Sequence, residues 1–523
     1  MLFGDKVDSV SLPDALSYFR WDYYPFKSLP PSFNPKKLAM LNLWYGCIEQ
    51  LWNEDHQDLT NLRVIDLYIC PKLRKILNLS GAINLQRISC RVCESLVELP
   101  CLSHLTSLKR LDLSDCNNLR KIPSLLGAFN LQSLNCYGCE SLVELPSLGH
   151  LTSLKRLDLS FCENLKKIPK LLGAVNLKSL ECRGCISLVE LPELPNSIVE
   201  LHLSHTQIEE VVDSIQHLVG LEKLNLSRSR VKNVSSNIAN LESLCELDVS
   251  ACKSLQTLSE LPQYLRVLDA NDCTSLEKVS FTDHSFNSFH SLHDGNGASG
   301  RENVFMLFYN CRSLNQDSIK NIVVNAMLQI HSLAQRLMST KGISGEQSEW
   351  HSLFCCVPGN EVPANVFYGS MNCSLNLKIT QNGFSRNRFL AFAICLLPHF
   401  TNRGGVLFMC KYQLTTSSGE KFTREFSFSE GQHKVRSYND EIVLTDGVHS
   451  YKGDHVLILF NQDMIIIDND YEEASFEFYM GNIVSDEFRV EKCGVNIFYL
   501  DAESYTISDA EWRCANIEEA HDH

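Results

Sequence analysis

Between Cys93 and Gly184 the chain carries nearly the same message twice, and this limits what it can fold into more than any other feature. CESLVELPCLSHLTSLKRLDLSDCNNLRKIPSLLGAFNLQSLNCYG is followed at once by CESLVELPSLGHLTSLKRLDLSFCENLKKIPKLLGAVNLKSLECRG. Each copy has 46 residues and divides into two units of 23, with apolar residues at matching places. A unit this short cannot enclose a core of its own. It buries its apolar residues only by stacking on its neighbours, so the sequence predicts a solenoid.

One template runs from Leu16 to Val279. Its first position falls on Leu16, Leu38, Leu62, Leu85, Leu108, Leu131, Leu154, Leu177, Ile198, Leu221, Leu244 and Leu265, giving twelve units spaced 21 to 24 residues apart. From Leu108 to Pro123 it reads LxxLxLxxCxxLxxIP, the pattern of the leucine-rich repeat. The alternation LxL sends Leu111 and Leu113 to one face of a short strand and Asp112 to the other. Stacked units then align their strands into a parallel sheet on a concave face, and the expected class is an α/β leucine-rich-repeat solenoid.

The cysteines fit the same register. Cys93, Cys116, Cys139, Cys162 and Cys185 follow at intervals of 23 and turn inward after the strand, beside backbone carbonyls that a weak S–H donor can reach. Three of them complete a C-x-x-C, with Cys90, Cys136 and Cys182. Such pairs begin structural zinc sites, but here they lie two whole units apart, and packing is the expected role. No metal is assigned to them.

Strand positions that face away from the core are free to vary and line the concave surface. They comprise Trp44, Tyr45, Asp66, Tyr68, Arg87, Arg91, Arg110, Asp112, Asp115, Tyr137, Arg156, Asp158, Phe161, Glu181 and Arg183. Arg and Tyr anchor protein interfaces more often than most side chains, so this set is the candidate protein-binding surface. Along the concave strands the two copies differ: Asp115 becomes Phe161, Asn135 becomes Glu181 and Tyr137 becomes Arg183.

The period fails from Phe281 to Arg301, a stretch rich in Ser, His, Asn and Gly that reads as a linker. Its G-x-G-x-x-G at Gly295, Gly297 and Gly300 lacks the strand and helix a dinucleotide site requires. Apolar spacing then predicts a helix over Asn315–Leu337 capped by Asn315. Beyond Phe354 the period becomes two, with strands expected at Ser374–Thr380, Phe389–Leu397, Leu407–Leu414, His455–Phe460, Ser475–Met480 and Gly494–Leu500. Many short strands and little helix argue for an antiparallel sandwich. The domains expected are a lead-in over 1–15, the solenoid over 16–280, the linker over 281–301, a β-sandwich over 302–505 and an acidic tail over 506–523.

Signs of catalysis are weak. No G-x-x-x-x-G-K-[ST], H-E-x-x-H or G-x-S-x-G occurs, and SSGEKFT (Ser417 to Thr423) fails the first of these. Cys355 and Cys356 have no base assignable from sequence, and the acid pairs Glu472/Glu473 and Asp468/Asp470 sit in a turn-like stretch. No catalytic residue, cofactor or metal is expected. The formal net charge is −15, with 16 acids against three Lys and Arg in residues 461 to 523, which opposes binding to nucleic acid or anionic lipid. The opening MLFGDKVDSVSL has no signal-peptide core, and no apolar run is long enough to span a bilayer. With 22 cysteines, a reducing compartment is expected, the cytoplasm with the nucleus also open.

Two groups of segments resemble one family. LSYFRWDYYPFKSLPPSFNPKKLAMLNLWYGCIEQLW (Leu16 to Trp52) resembles the start of the repeats in plant intracellular immune receptors of the TIR, nucleotide-binding, leucine-rich-repeat class. VPGNEVPANVF (Val357 to Phe367), FLAFAICLL (Phe389 to Leu397), DHVLILF (Asp454 to Phe460) and VEKCGVNIFYL (Val490 to Leu500) resemble the jelly-roll, immunoglobulin-like C-JID domain that follows the repeats in that class. The resemblance implies defence against pathogens, with an effector protein as ligand and TIR and nucleotide-binding receptor chains as partners. The TIR and nucleotide-binding domains lie upstream of the repeats in that class, and this chain opens just before its repeats. A non-enzymatic recognition module is therefore expected. The alternatives are a substrate adaptor of a ubiquitin ligase and a truncated receptor without autonomous signalling.

Overall fold

The computed structural model describes residues 12–13, 15–52, 58–76, 78–211, 213–263, 265–282, 302–340, 351–379, 388–399, 406–429, 454–467, 471–482 and 489–501. Nearly all of the expected linker with its glycine motif, the acidic tail, and Asp468 with Asp470 lie outside the described residues. The chain divides into two compact units, Met1–Leu255 and Gln256–His523.

In the first unit the strands are β1 (Tyr18–Arg20), β2 (Met40–Asn42), β3 (Val64–Asp66), β4 (Arg87–Ser89), β5 (Arg110–Asp112), β6 (Ser133–Asn135), β7 (Arg156–Asp158), β8 (Ser179–Glu181), β9 (Glu200–His202), β10 (Glu210–Val211), β11 (Lys223–Asn225), β12 (Asn233–Val234) and β13 (Glu246–Asp248). β1 through β9, then β11 and β13, pair in parallel, each in register with the next. β10 and β12 form a second short parallel pair. The middle residue of each three-residue rung points inward. Leu111, Leu134, Leu157, Leu180 and Leu201 are all buried and stack into one apolar column.

The cysteines behave as their register predicts. The Cys93, Cys116, Cys139, Cys162 and Cys185 thiols donate to the carbonyls of Leu67, Cys90, Leu113, Cys136 and Leu159 at 3.0 to 3.2 Å. Each bond ties a thiol to a carbonyl of the preceding unit; those of Leu113, Cys136 and Leu159 also accept a backbone N–H, from Cys116, Cys139 and Cys162, so there the thiol fills the second lone pair. Cys70 and Cys252 extend the series at both ends.

The helical part of the α/β expectation needs correction. Among the described residues the first unit has no α-helix, only short 3-10 helices at Pro35–Lys37, Asp213–His217 and Ser236–Asn240. Proline is the physical reason in the central repeats. Pro100, Pro123, Pro146, Pro169 and Pro192 recur every 23 residues in the segment that returns to the next strand, where the ring removes an N–H and blocks a helix interior. The result is a β-solenoid with a turn-rich return path.

The second unit contains β14 (Thr257–Leu261), β15 (Val267–Asp269), β16 (Lys278–Phe281), β17 (Glu302–Leu307), the helix α1 (Gln316–Thr340), β18 (His351–Pro358), β19 (Tyr368–Ser370), β20 (Ser374–Lys378), β21 (Arg388–His399), β22 (Val406–Thr416), β23 (Lys421–Ser429), β24 (His455–Asn461), β25 (Ile465–Ile467), β26 (Tyr471–Asn482) and β27 (Arg489–Asp501). The repeat pattern continues past the position expected for its end. β17 pairs in parallel with β15, matching Leu268 to Met306. The Cys311 thiol donates to the Ala270 carbonyl at 2.9 Å, as its counterparts do in the first unit. Met306, Phe308, Cys311 and Leu314 thus occupy the apolar places of a further repeat, with Met and Phe standing where the template has Leu.

β18 pairs in parallel with β17 on one side and antiparallel with β24 on the other, so the repeat sheet passes directly into antiparallel β24, β21, β27 and β19. β20, β26, β22 and β23 form a separate antiparallel sheet. Phe392 on the first sheet meets Tyr412 and Phe476 on the second at ring distances of 4.9 and 5.1 Å. The helix starts as predicted, with Asn315 Oδ1 accepting from the Ser318 N–H at 2.8 Å.

Cys355 and Cys356 are buried in β18, and burial pushes the Cys355 thiol well above its ordinary range, the opposite of an activated nucleophile. Glu472 and Glu473 are exposed on β26, in a strand and not in a turn. The P-loop-like string lies at a hairpin turn, where Thr416 N–H donates to the Glu420 carbonyl and Gly419 has φ 83°.

Candidate functional site

Because each rung of the first unit is three residues long, its first and third residues point outward in two columns. Arg87, Arg110 and Arg156 stand in the first column and Asp66, Asp112, Asp158 and Glu181 in the third. The structure thus sorts by charge what the sequence offered as one mixed set: a basic column beside an acidic one. Arg87 and Arg110 are exposed and form no ion pair among the described residues.

The acidic column also has a structural duty. Asp112 Oδ1 accepts from the N–H and hydroxyl of Ser114 at 3.2 and 2.9 Å, and Asp158 Oδ1 accepts from the Ser160 N–H at 3.0 Å. Asn135 does the same for the Tyr137 N–H at 2.9 Å. These bonds close the turn that ends each rung.

The rest of the candidate set is not on the strands. Trp44, Tyr68, Arg91, Tyr137 and Arg183 lie two residues beyond their rungs, and Tyr45, Asp115 and Phe161 lie three beyond. The rung is too short to hold them, and the chain turns there through a left-handed residue in every repeat: φ is 57° at Tyr45, 58° at Asp115 and 59° at Phe161. Glycine fills this place at Gly138 and Gly184. A Cβ on Gly184 would sit 2.6 Å from the Phe161 ring, so the bulk of one repeat is accommodated by a missing side chain in the next.

Side by side, these turn residues form an aromatic and cationic strip. Tyr23 stacks on Tyr45 at 5.1 Å, and Tyr68 meets both Tyr45 and Trp44 edge-on at 5.7 and 6.0 Å. The Arg20 guanidinium lies 4.2 Å over the Trp44 ring, and that of Arg91 lies 5.6 Å over Tyr68. Further along, Tyr137 meets Phe161 at 5.3 Å. Trp44 Nε1 and Asn42 Oδ1 are buried without a hydrogen-bond partner among the described residues. Burial raises the Asp115 carboxyl above its ordinary range, against the pull of Arg91.

A second group escaped the sequence reading, except for Glu181. Glu200, His202, Lys223, Glu246 and Asp248 occupy the same two outward columns on β9, β11 and β13. Lys223 Nζ lies 3.3 Å from Glu200 and 4.0 Å from Glu246. His202 Nε2 lies 3.9 Å from Glu181 Oε1. Burial, reinforced by Asp158, pushes the Glu181 carboxyl up to about 7, and burial lowers the His202 imidazole. The signal that finds them is the register already used for the leucines, read one residue to either side.

A family model described as Zer-1-like, leucine-rich repeats, matches residues 100–171. Disease resistance protein RML1B of Arabidopsis thaliana is 28% identical over 491 residues, 94% of this chain and 39% of that protein. Disease resistance-like protein DSC1 of the same plant is 26% identical over 320 residues, 58% of this chain and 24% of that protein. This chain is a leucine-rich-repeat relative of plant disease resistance proteins. It spans about a quarter to two fifths of the length of these two relatives. In Vitis rotundifolia, disease resistance protein RPV1 is 43% identical over 84 residues, 16% of this chain and 6% of that protein.

Among solved structures, the functional domain of InlJ from Listeria monocytogenes, which includes a cysteine ladder, aligns with TM-score 0.35 and 18% identity over 47% of this chain and 51% of its own. The leucine-rich repeat domain of the type III effector XopL aligns with TM-score 0.27 and 22% identity over 47% of this chain and 72% of its own. Among the described residues of this chain, no helix is long and apolar enough to cross a membrane.

Proposed function

We propose that this chain is a non-enzymatic recognition module of plant innate immunity that binds a pathogen effector protein. The single observation that carries the reading is the outward face of β2 to β8, where a basic column, an acidic column and an aromatic strip run side by side. Such a face offers an incoming protein opposite charges for orientation and rigid aromatic rings for burial.

The facing sheets of the second unit act, in this proposal, as the C-JID jelly-roll domain and add a second binding element. The protein works in the cytoplasm or nucleus, and TIR and nucleotide-binding receptor chains convert binding into a signal. The rival readings are a substrate adaptor of a ubiquitin ligase and a truncated receptor that binds without signalling.

Co-expression in leaf tissue with candidate effectors, scored for co-purification and cell death, separates these readings. Effector capture that is lost in the double variant Arg87→Glu with Arg110→Glu supports the proposal. Capture without cell death favours the truncated receptor, and accelerated loss of the captured protein favours the adaptor. Cell death or NAD loss caused by the chain alone would refute a module without its own catalysis.

A further inference from the structure

The group on β8 and β9 shares only Glu181 with the proposed effector surface, and its geometry asks for something more than charge. Glu181 and His202 are register partners on neighbouring rungs, and Glu200 lies two residues before His202 on the same face. One donor atom from each converges, all lying within 4.8 Å of one another, with His202 Nε2 3.9 Å from Glu181 Oε1. The three side chains are only 15 to 18% exposed, and short rungs of a stacked sheet hold their backbones.

We propose that Glu181, Glu200 and His202 form a binding site for a divalent transition metal ion of the zinc class, held by one imidazole nitrogen and two carboxylate oxygens. Zinc bonds of about 2.0–2.2 Å in tetrahedral geometry place donor atoms about 3.3–3.6 Å apart. A small rotation of flexible glutamate side chains closes the difference from the spacing seen. The imidazole selects zinc and its neighbours over magnesium or calcium, which prefer all-oxygen sites. Imidazole ligates in its neutral form, and the buried setting of His202 favours that form.

The surrounding charge points the same way. Asp158 adjoins Glu181 in register, and Glu246 and Asp248 follow on β13, so five carboxylates crowd this face. Of the cations, Lys223 pairs with Glu200 and Glu246, Arg156 stands in the first column of β7 near Glu181, and Arg183 acts on His202 from the turn after β8. On metal binding Lys223 keeps Glu246 as its partner. Three protein donors leave a fourth coordination position open toward solvent, as in zinc sites that exchange a ligand.

The test uses the full chain, treated with chelator and then dialysed. The exposed thiols of Cys47, Cys101 and Cys373, together with Cys514, are replaced by serine so that they do not compete. Zn²⁺ alone is titrated by calorimetry, and Co²⁺ serves as a spectroscopic probe. One Zn²⁺ per chain is expected, with a cobalt spectrum free of thiolate charge-transfer bands. His202→Gln and Glu181→Gln should each weaken binding by on the order of 10–100-fold or more while circular dichroism stays unchanged.

Lys223→Met keeps all three donors and removes a repelling charge, so its affinity should rise by on the order of tenfold. That variant remains decisive if the ligand variants fold poorly. Zinc binding unaffected by both ligand variants, unchanged or weaker binding in Lys223→Met, thiolate bands in the cobalt spectrum, or no binding of zinc would each overturn the proposal.

Discussion

The rungs β4 to β7 and the rungs β8, β9, β11 and β13 share one sheet and one core, yet present different chemistry outward. In β4 to β7 the two outward columns separate by charge, Arg87, Arg110 and Arg156 against Asp112 and Asp158. In β8 to β13 the signs mix within a column, with Glu200, Lys223 and Glu246 following one another. The inward leucines are buried alike in both regions. Fold and surface chemistry are therefore written by alternate residues of the same short strand, and each can change without the other.

The largest expected effect tests the shared half of this comparison. Leu134→Ala on β6 and Leu201→Ala on β9 remove equivalent core side chains, each fully buried. Each should cost about 2–5 kcal/mol from lost burial and the cavity left behind. Denaturant unfolding should give similar losses, and a negligible loss at either site would mean that its rung lies outside the common core.

The next effect distinguishes the two copies of the duplicated block. Gly138 and Gly184 have φ of 70° and 71°, so alanine at either costs about 1–2 kcal/mol for the left-handed backbone. At Gly184 the new Cβ also meets the Phe161 ring at 2.6 Å, whereas at Gly138 it meets Asp115 Oδ1, the end of a side chain that can rotate. Gly184→Ala should therefore lower the melting temperature more than Gly138→Ala. Adding Phe161→Ala to the Gly184→Ala chain should remove the excess, measured by a double-mutant cycle.

A smaller effect belongs to the mixed-charge region alone. The Glu181 carboxyl is raised from 4.5 to about 7 in the folded chain, by burial first and Asp158 second. Between those values the unfolded chain has lost the proton that the folded chain keeps, so stability falls as pH rises through the window. Glu181→Gln, compared with the parent in the presence of chelator, should match it near pH 4.5 and exceed it above pH 7. The gain should be on the order of 1–2 kcal/mol after allowance for residual solvent contact. His202, lowered by burial, contributes the opposite slope at acid pH, and the difference between Gln variant and parent isolates Glu181.

What can be read from the sequence follows the same division between inward and outward residues. The inward positions repeat because every unit meets an identical neighbour, so the period, the cysteine series and the strands of the first unit are legible. The repeat at β17 is not, because Met306 and Phe308 replace leucines and 38 residues separate Met306 from its partner Leu268. The outward positions carry no period of their own. Arg110 and Asp112 are visible as exposed, but the meeting of Glu181, Glu200 and His202 depends on the register between β8 and β9. The turn that carries Tyr68, Arg91 and Phe161 reads as strand in the sequence because the alternation of the rung does not mark where the rung ends.

The smallest effect on stability carries the most information about function. Arg87 and Arg110 are exposed and bear on no core residue, so reversing their charge should change unfolding free energy by no more than about 0.5 kcal/mol. The paired substitutions Arg87→Glu and Arg110→Glu abolish the opposition between the two columns, because both columns then present carboxylates beside Asp66 and Asp112. If the charge-sorted region orients a protein ligand, association should slow and its salt dependence should weaken while the chain stays folded. A matching reversal at Lys223, in the mixed region, disturbs no such opposition and should leave association unchanged. Equal slowing by both reversals would show that net charge, and not its arrangement over β4 to β7, governs the encounter.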